Sequence, residues 1–208
     1  KHEKFYEEHP EWYFRGLDGK PVRYHDTVAT CVNGPYQSER SLDIIREVME
    51  QYPVDGIFFN MFGYITFDYS GNYVGICQCE NCKRRFREMY GEELPVKENL
   101  EDPVFIKYID FKKKTVDEML TKIHNLARSI NPDCAVSTYA TTGVDIVRNE
   151  SNSAVDRPLP FWIYNSSDNV GEIEGSYEDK ICSNCCINAV DLPYRFMGVS
   201  DQLNQIRL

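Results

Sequence analysis

The residues best equipped for chemistry are Cys77, Cys79 and Cys82, set in a Cys-x-Cys-x-x-Cys pattern. Three thiolates so close in the chain can close on one tetrahedral cation, whereas the single residue between Cys77 and Cys79 strains any disulfide between them. A metal then needs a fourth ligand. Cys31 is the best donor, because it ends the apolar run Thr27-Val28-Ala29-Thr30-Cys31-Val32, which reads as a strand emptying into a loop. The stretch from there to Cys77 holds a helix and a further strand, enough for the two loops to meet on one face of a sheet. Cys31, Cys77, Cys79 and Cys82 are therefore read as the ligands of a structural Zn²⁺. The plain alternative is that Cys31 is an ordinary buried thiol.

These residues need elements to hold them. Leu42, Ile45, Val48, Met49 and Tyr52 recur at spacings of three and four, which predicts an amphipathic helix over 40–52 with Ser38 or Ser41 as its cap. Val54-Asp55-Gly56-Ile57-Phe58-Phe59 is a short apolar run of the kind a doubly buried strand shows. A helix follows from about Asn81 to Tyr90, stopped by Gly91. The longest helix starts at Asp102-Pro103, a cap followed by Pro at the first helical position, and ends before Asn131-Pro132 with Phe105, Ile109, Val116, Leu120, Ile123, Ala127 and Ile130 inward. Residues 134–140, 144–148, 160–164 and 192–199 read as strands. Ile181, Cys182, Cys185, Cys186, Ala189 and Val190 read as the buried stripe of a last helix, where packing outweighs a redox role for the Cys-x-x-Cys. Short apolar strands alternating with helices predict an α/β fold with a parallel sheet, one domain over 1–208.

Composition narrows the partners. A chain of 208 residues, 42% hydrophobic, can bury a sizeable core. Its net charge of −10 speaks against a nucleic-acid partner, which would need a face rich in Lys and Arg. Eight cysteines in clusters, in a chain large enough to fold without staples, favour a reducing, cytoplasmic compartment. No stretch reaches the length of a membrane span. The start, Lys1-His2-Glu3-Lys4, is neither a signal peptide nor an initiator Met, so a piece of a longer product is expected. Self-association into a homo-oligomer stays open.

His9-Pro10-Glu11-Trp12, Cys31-Val32-Asn33-Gly34-Pro35-Tyr36, Asp55-Gly56-Ile57-Phe58-Phe59-Asn60 and the cysteine block with Phe86 and Tyr90-Gly91 form a series. It resembles the barrel of glycoside hydrolase family 42 β-galactosidases and, more closely, the related hypothetical glycosyl hydrolases. The resemblance implies a (β/α)8 barrel whose first two strands lie outside this sequence, and a structural zinc on the matching four cysteines. It also implies two catalytic glutamates, one after an Asn at the fourth strand and one at the seventh. Here those places read Met61 after Asn60, and Asn165 after Tyr164. Neither can ionise, so the family's catalytic pair does not carry over.

Other acids fall where this fold places its chemistry, at the carboxyl ends of strands. Asp68 follows the fourth strand, Glu150 ends the strand carrying Arg148, and Asp168 lies in Ser166-Ser167-Asp168-Asn169. Two carboxylates flanking a sugar serve as general acid and as base or nucleophile, and Glu150 with Asp68 is the favoured pair. The plainer reading makes each a helix cap or a partner of Arg148 or Arg157. Tyr36, Tyr64, Tyr139 and Trp162 offer rings to stack on a pyranose, and Asn33, Asn60, Arg148 and Asn165 offer hydrogen bonds to its hydroxyls. The expected function is carboxylate-mediated hydrolysis of a carbohydrate. A sugar-binding pseudoenzyme and a zinc-stabilised interaction module are the alternatives.

Overall fold

The computed structural model describes residues 2–59, 62–66, 68, 72–139, 146–149, 181–184, 190–191 and 195–196. They divide into two compact units, one of residues 1–48 and 63–119 and one of residues 49–62 and 120–208.

The first unit opens with α1 (His2–Glu8) and a 3₁₀ turn at Pro10–Trp12. The strands β1 (Arg23–Tyr24) and β2 (Thr27–Val28) then pair antiparallel, with Tyr24 opposite Thr27 and His25 taking a φ of 51° in the turn. The apolar run at 27–32 is thus a local ribbon, continued by a bridge between Tyr13 and Thr30, and the expected parallel strand is not formed. The tight turn returns the chain on its own neighbour, which satisfies the backbone locally before any parallel partner is needed.

A π-helical turn at Tyr36–Arg40 runs straight into α2 (Ser41–Gln51). Neither serine caps it. Ser41 Oγ donates to the Gln37 carbonyl at 2.7 Å and Ser38 Oγ to that of Gly34 at 3.5 Å, because the preceding turn leaves no open N-terminus at these positions. Met49 is buried as expected, but Val48 and Tyr52 are 41% and 61% exposed, so the inward stripe is narrower than the spacing predicted.

Helix α3 (Glu80–Tyr90) ends on Gly91, whose φ of 70° suits the left-handed cap. Helix α4 (Pro103–Ile130) begins where Asp102 Oδ1 accepts from Val104 N at 2.9 Å. Phe105, Tyr108, Phe111 and Thr115 of α4 are buried in the first unit, whereas Ile109, expected inward, is 41% exposed. Phe86 of α3 meets Phe111 edge to face at 5.3 Å, a favoured geometry for aromatic pairs. These rings share one core with Phe14, Ile76 and the four sulfurs of Cys31, Cys77, Cys79 and Cys82.

The second unit is built on β3 (Gly56–Phe58), β4 (Ala135–Tyr139), β5 (Ile146–Asn149) and β6 (Ile181–Asn184). All four are parallel and lie in chain order. Gly56 makes a close approach, since a Cβ there would stand 3.3 Å from the Ala135 carbonyl oxygen. Thr138 Oγ1 donates to the Phe59 carbonyl at 2.9 Å and ties the carboxyl ends of β3 and β4. The helix expected at 181–190 is corrected by β6: Ile181 pairs with Ile146 and Asn184 with Asn149. Over four residues an apolar run fits either period, and a waiting parallel edge decides for strand. Of the strand expected at 192–199 the described residues are β8 (Arg195–Phe196), which pairs antiparallel with β7 (Val190–Asp191). The expected strand at 160–164 lies outside the described residues. Parallel strands in chain order are an arrangement that (β/α)8 barrels use.

Candidate functional site

The four cysteines reach one spot by different routes. Cys31 leaves the ribbon, its N–H donating to the Trp12 carbonyl at 2.9 Å. Cys77 and Cys79 follow a turn at Gly75, where φ is 71° and a Cβ would strike Leu17 at 2.9 Å. Cys79 is the N-cap of α3, and its sulfur accepts from the N–H of Cys82 in the first helical turn at 3.5 Å. The Cys31 sulfur is 3.4 Å from those of Cys79 and Cys82 and 3.9 Å from that of Cys77, and all four lie within 4.8 Å of one another. A disulfide needs about 2.05 Å, and all four are free thiols. A tetrahedron of sulfurs about 2.3 Å from a central Zn²⁺ has edges of about 3.8 Å. The cluster therefore fits a metal ion, and its chemistry, four soft donors with no exposure above 6%, is that of a closed structural site.

Hydrogen bonds from Cys31, Cys77 and Cys82 hold Cys79 far below the usual thiol range. Hydrogen bonding to Cys77 and Cys79 pushes Cys31 up, and hydrogen bonding to Cys31 and Cys77 does the same to Cys82. A cation would take the place of the retained protons.

Two residues read as sugar contacts stand beside these sulfurs. Asn33 donates through Nδ2 to Tyr64 Oη at 2.6 Å and to Cys82 Sγ at 3.3 Å, and its backbone N–H reaches Cys31 Sγ at 3.3 Å. Tyr64 is buried, bonds to Thr115 Oγ1 at 2.7 Å, and has its phenol pushed well up by that burial. Arg85 donates to Asn33 Oδ1 at 3.0 Å and pairs with Glu118. Arg85, Thr115 and Glu118 were not among the residues expected at the site. Nothing in the sequence links Arg85 to Asn33.

Asp68 accepts from Asn72 N at 2.8 Å and from Asn72 Nδ2 at 2.9 Å. It lines a groove of about 350 Å³ with Leu17, Asp18, Lys20, Arg23 and Tyr73. Tyr36 is half-buried, its ring 5.5 Å from that of Trp12, which stacks on His9 at 3.9 Å. Tyr139 and Arg148 share one register row with Ser183 at the carboxyl ends of β4, β5 and β6. Asn60, Glu150, Trp162, Asn165 and Asp168 lie outside the described residues, as does Met61. Glu150 directly follows the last residue of β5 in the chain.

Among the described residues no helix is long and apolar enough to cross a membrane. Two solved structures share the fold. A β-galactosidase from Bacillus circulans sp. alkalophilus aligns with a TM-score of 0.54 at 15% identity, over 83% of this chain and 31% of that one. The catalytic domain of a β-amylase from Paenibacillus polymyxa aligns with a TM-score of 0.52 at 8% identity, over 90% of this chain and 56% of that one. The chain thus spans under a third of the first and just over half of the second. No curated protein matches it in sequence. Residues 1–61 match the family model described as Hypothetical glycosyl hydrolase 6.

Proposed function

We propose that the chain belongs to a glycoside hydrolase that cleaves a carbohydrate by carboxylate acid/base chemistry, on a barrel braced by a structural zinc at Cys31, Cys77, Cys79 and Cys82. The family match of residues 1–61 is the observation that carries the hydrolase reading, and the parallel sheet in chain order supports it. Glu150 and Asp68 are the ionisable pair, Asp168 the third candidate, with Asn60 and Arg148 orienting hydroxyls and Tyr36, Tyr139, Trp162 and Asn165 contributing contacts; Tyr64, buried in the core, and Asn33, whose amide is taken up by Cys82, Tyr64 and Arg85, are withdrawn as sugar contacts. A general acid or base contributes about 10²–10⁴-fold. Glu150→Gln and Asp68→Asn are expected to lower turnover of a responsive aryl glycoside by that factor, and unchanged turnover would overturn the pair.

A second reading is favoured by Met61 and Asn165 at the family's two carboxylate places. There the protein binds sugar without cleaving it, and hydrolysis by the purified protein excludes it. The metal is supported by the mutual spacing and burial of the four sulfurs. Protein purified without added zinc is expected to hold about one ion per chain, and an absence of metal by elemental analysis would remove it.

A further inference from the structure

We infer that Asn33, backed by Arg85, is a positioning residue for the sulfur cluster, neutralising and orienting the Cys82 and Cys31 ligands. The inference rests on the metal reading above. Four thiolates around a divalent cation leave a net charge of −2, here among cysteines that are at most 6% exposed. Such charge is costly unless N–H donors face it. Asn33 supplies two, its backbone N–H to Cys31 and its side-chain amide to Cys82.

The orientation of that amide is over-determined. Its oxygen faces the Arg85 guanidinium at 3.0 Å, while its nitrogen faces Cys82 and the Tyr64 hydroxyl. Turning it over would set oxygen against thiolate and NH₂ against guanidinium. Arg85 is itself held by Glu118. A cation on the amide oxygen polarises the amide and strengthens its N–H donors. Cys82, Asn33, Arg85 and Glu118 thus form one relay that ties the sulfurs to the long helix.

The test replaces zinc by Co²⁺, whose sulfur-to-metal charge-transfer absorption reports the charge on the ligand sulfurs. Asn33→Ala is expected to shift that band to lower energy and to weaken zinc against a competing chelator by about 10–100-fold, the usual cost of losing a partner of a metal ligand. Asn33→Asp, which sets an acceptor against Cys82, moves both further, and Arg85→Met moves both in the same direction by less. Phe86→Leu, in the same core but without a hydrogen bond to sulfur, lowers the Tm and leaves band and affinity in place. Asn33→Ala with the wild-type band and affinity overturns the inference, as does Phe86→Leu moving both as far. Should Asn33→Ala fail to fold, an unshifted band in Arg85→Met overturns it. Wild-type protein that takes up no metal overturns the metal centre and this inference together, whereas metal uptake with unaffected variants overturns the inference alone.

Discussion

Cys79 holds two roles that a single substitution separates. Its sulfur caps α3 and also stands in the cluster. Serine is itself a good N-cap, so Cys79→Ser is expected to keep the start of the helix and lose the metal. Structural zinc sites of this type supply about 10–16 kcal/mol of apparent binding energy. A loss of stability on the order of several kcal/mol should therefore accompany the loss of metal, read by chelator titration and thermal melts; full metal content in the variant would contradict it. Tyr90 gives a pH-dependent prediction. Burial first, then its 2.7 Å bond to Asp110, pushes its phenol up to about 12. The folded state thus favours the protonated phenol, so this contribution is complete below the ordinary value of 10 and is lost as pH rises from 10 through about 12. Ultraviolet titration should show several tyrosines ionising late, Tyr64 among them, and Tyr90→Phe should remove the component near 12. At this scale the cysteine quartet could be read from residue type and spacing, because few groups other than a metal gather four thiols. Asn33 and Tyr64 were legible only as polar and aromatic loop residues. Their partners, Cys82, Arg85 and Thr115, are far away in the chain and come near only on folding.

The helices were the most legible elements. Asp102-Pro103 and Asn131-Pro132 bracket α4, since a cap, a Pro at the first position and a Pro after the end each act locally. Gly91 ends α3 for a local reason too. Nothing lies within 4 Å of the Cβ it lacks, so Gly91→Ala pays only for the φ of 70° and should cost about 1 kcal/mol by denaturant melts. Phe111 is fully buried and meets Tyr64, Phe86, Tyr90 and Tyr108. Phe111→Ala should cost about 3–5 kcal/mol, and a cost below 1 kcal/mol would mean that this ring is not central to the core. Strands were less legible. Thr27–Val28 and Ile181–Asn184 are too short for periodicity to choose between an antiparallel ribbon, a parallel strand and a helix, and the available partner edge chose.

At the scale of the whole molecule, the described residues form two units with separate buried residues. The sulfur cluster belongs to the core of the first, and the parallel sheet to the second. Removing a bound metal should therefore raise amide hydrogen exchange mainly in α3 and around Cys31, sparing β3 and β4. Equal loss of protection in both units would show that the cluster braces the whole chain. The resemblance to glycosyl hydrolases rests on short motifs, and those that the family model matches lie within residues 1–61. By itself the sequence determined the donor types and the extents of α2, α3 and α4, because each depends on residue identity or on spacing within a few turns of chain. Only the tertiary structure decided which strands share a sheet, which way each is paired, and that Asn33 faces sulfur and guanidinium at once. Those outcomes depend on groups distant in the chain competing for the same hydrogen bonds and the same buried space, and no local pattern encodes the winner.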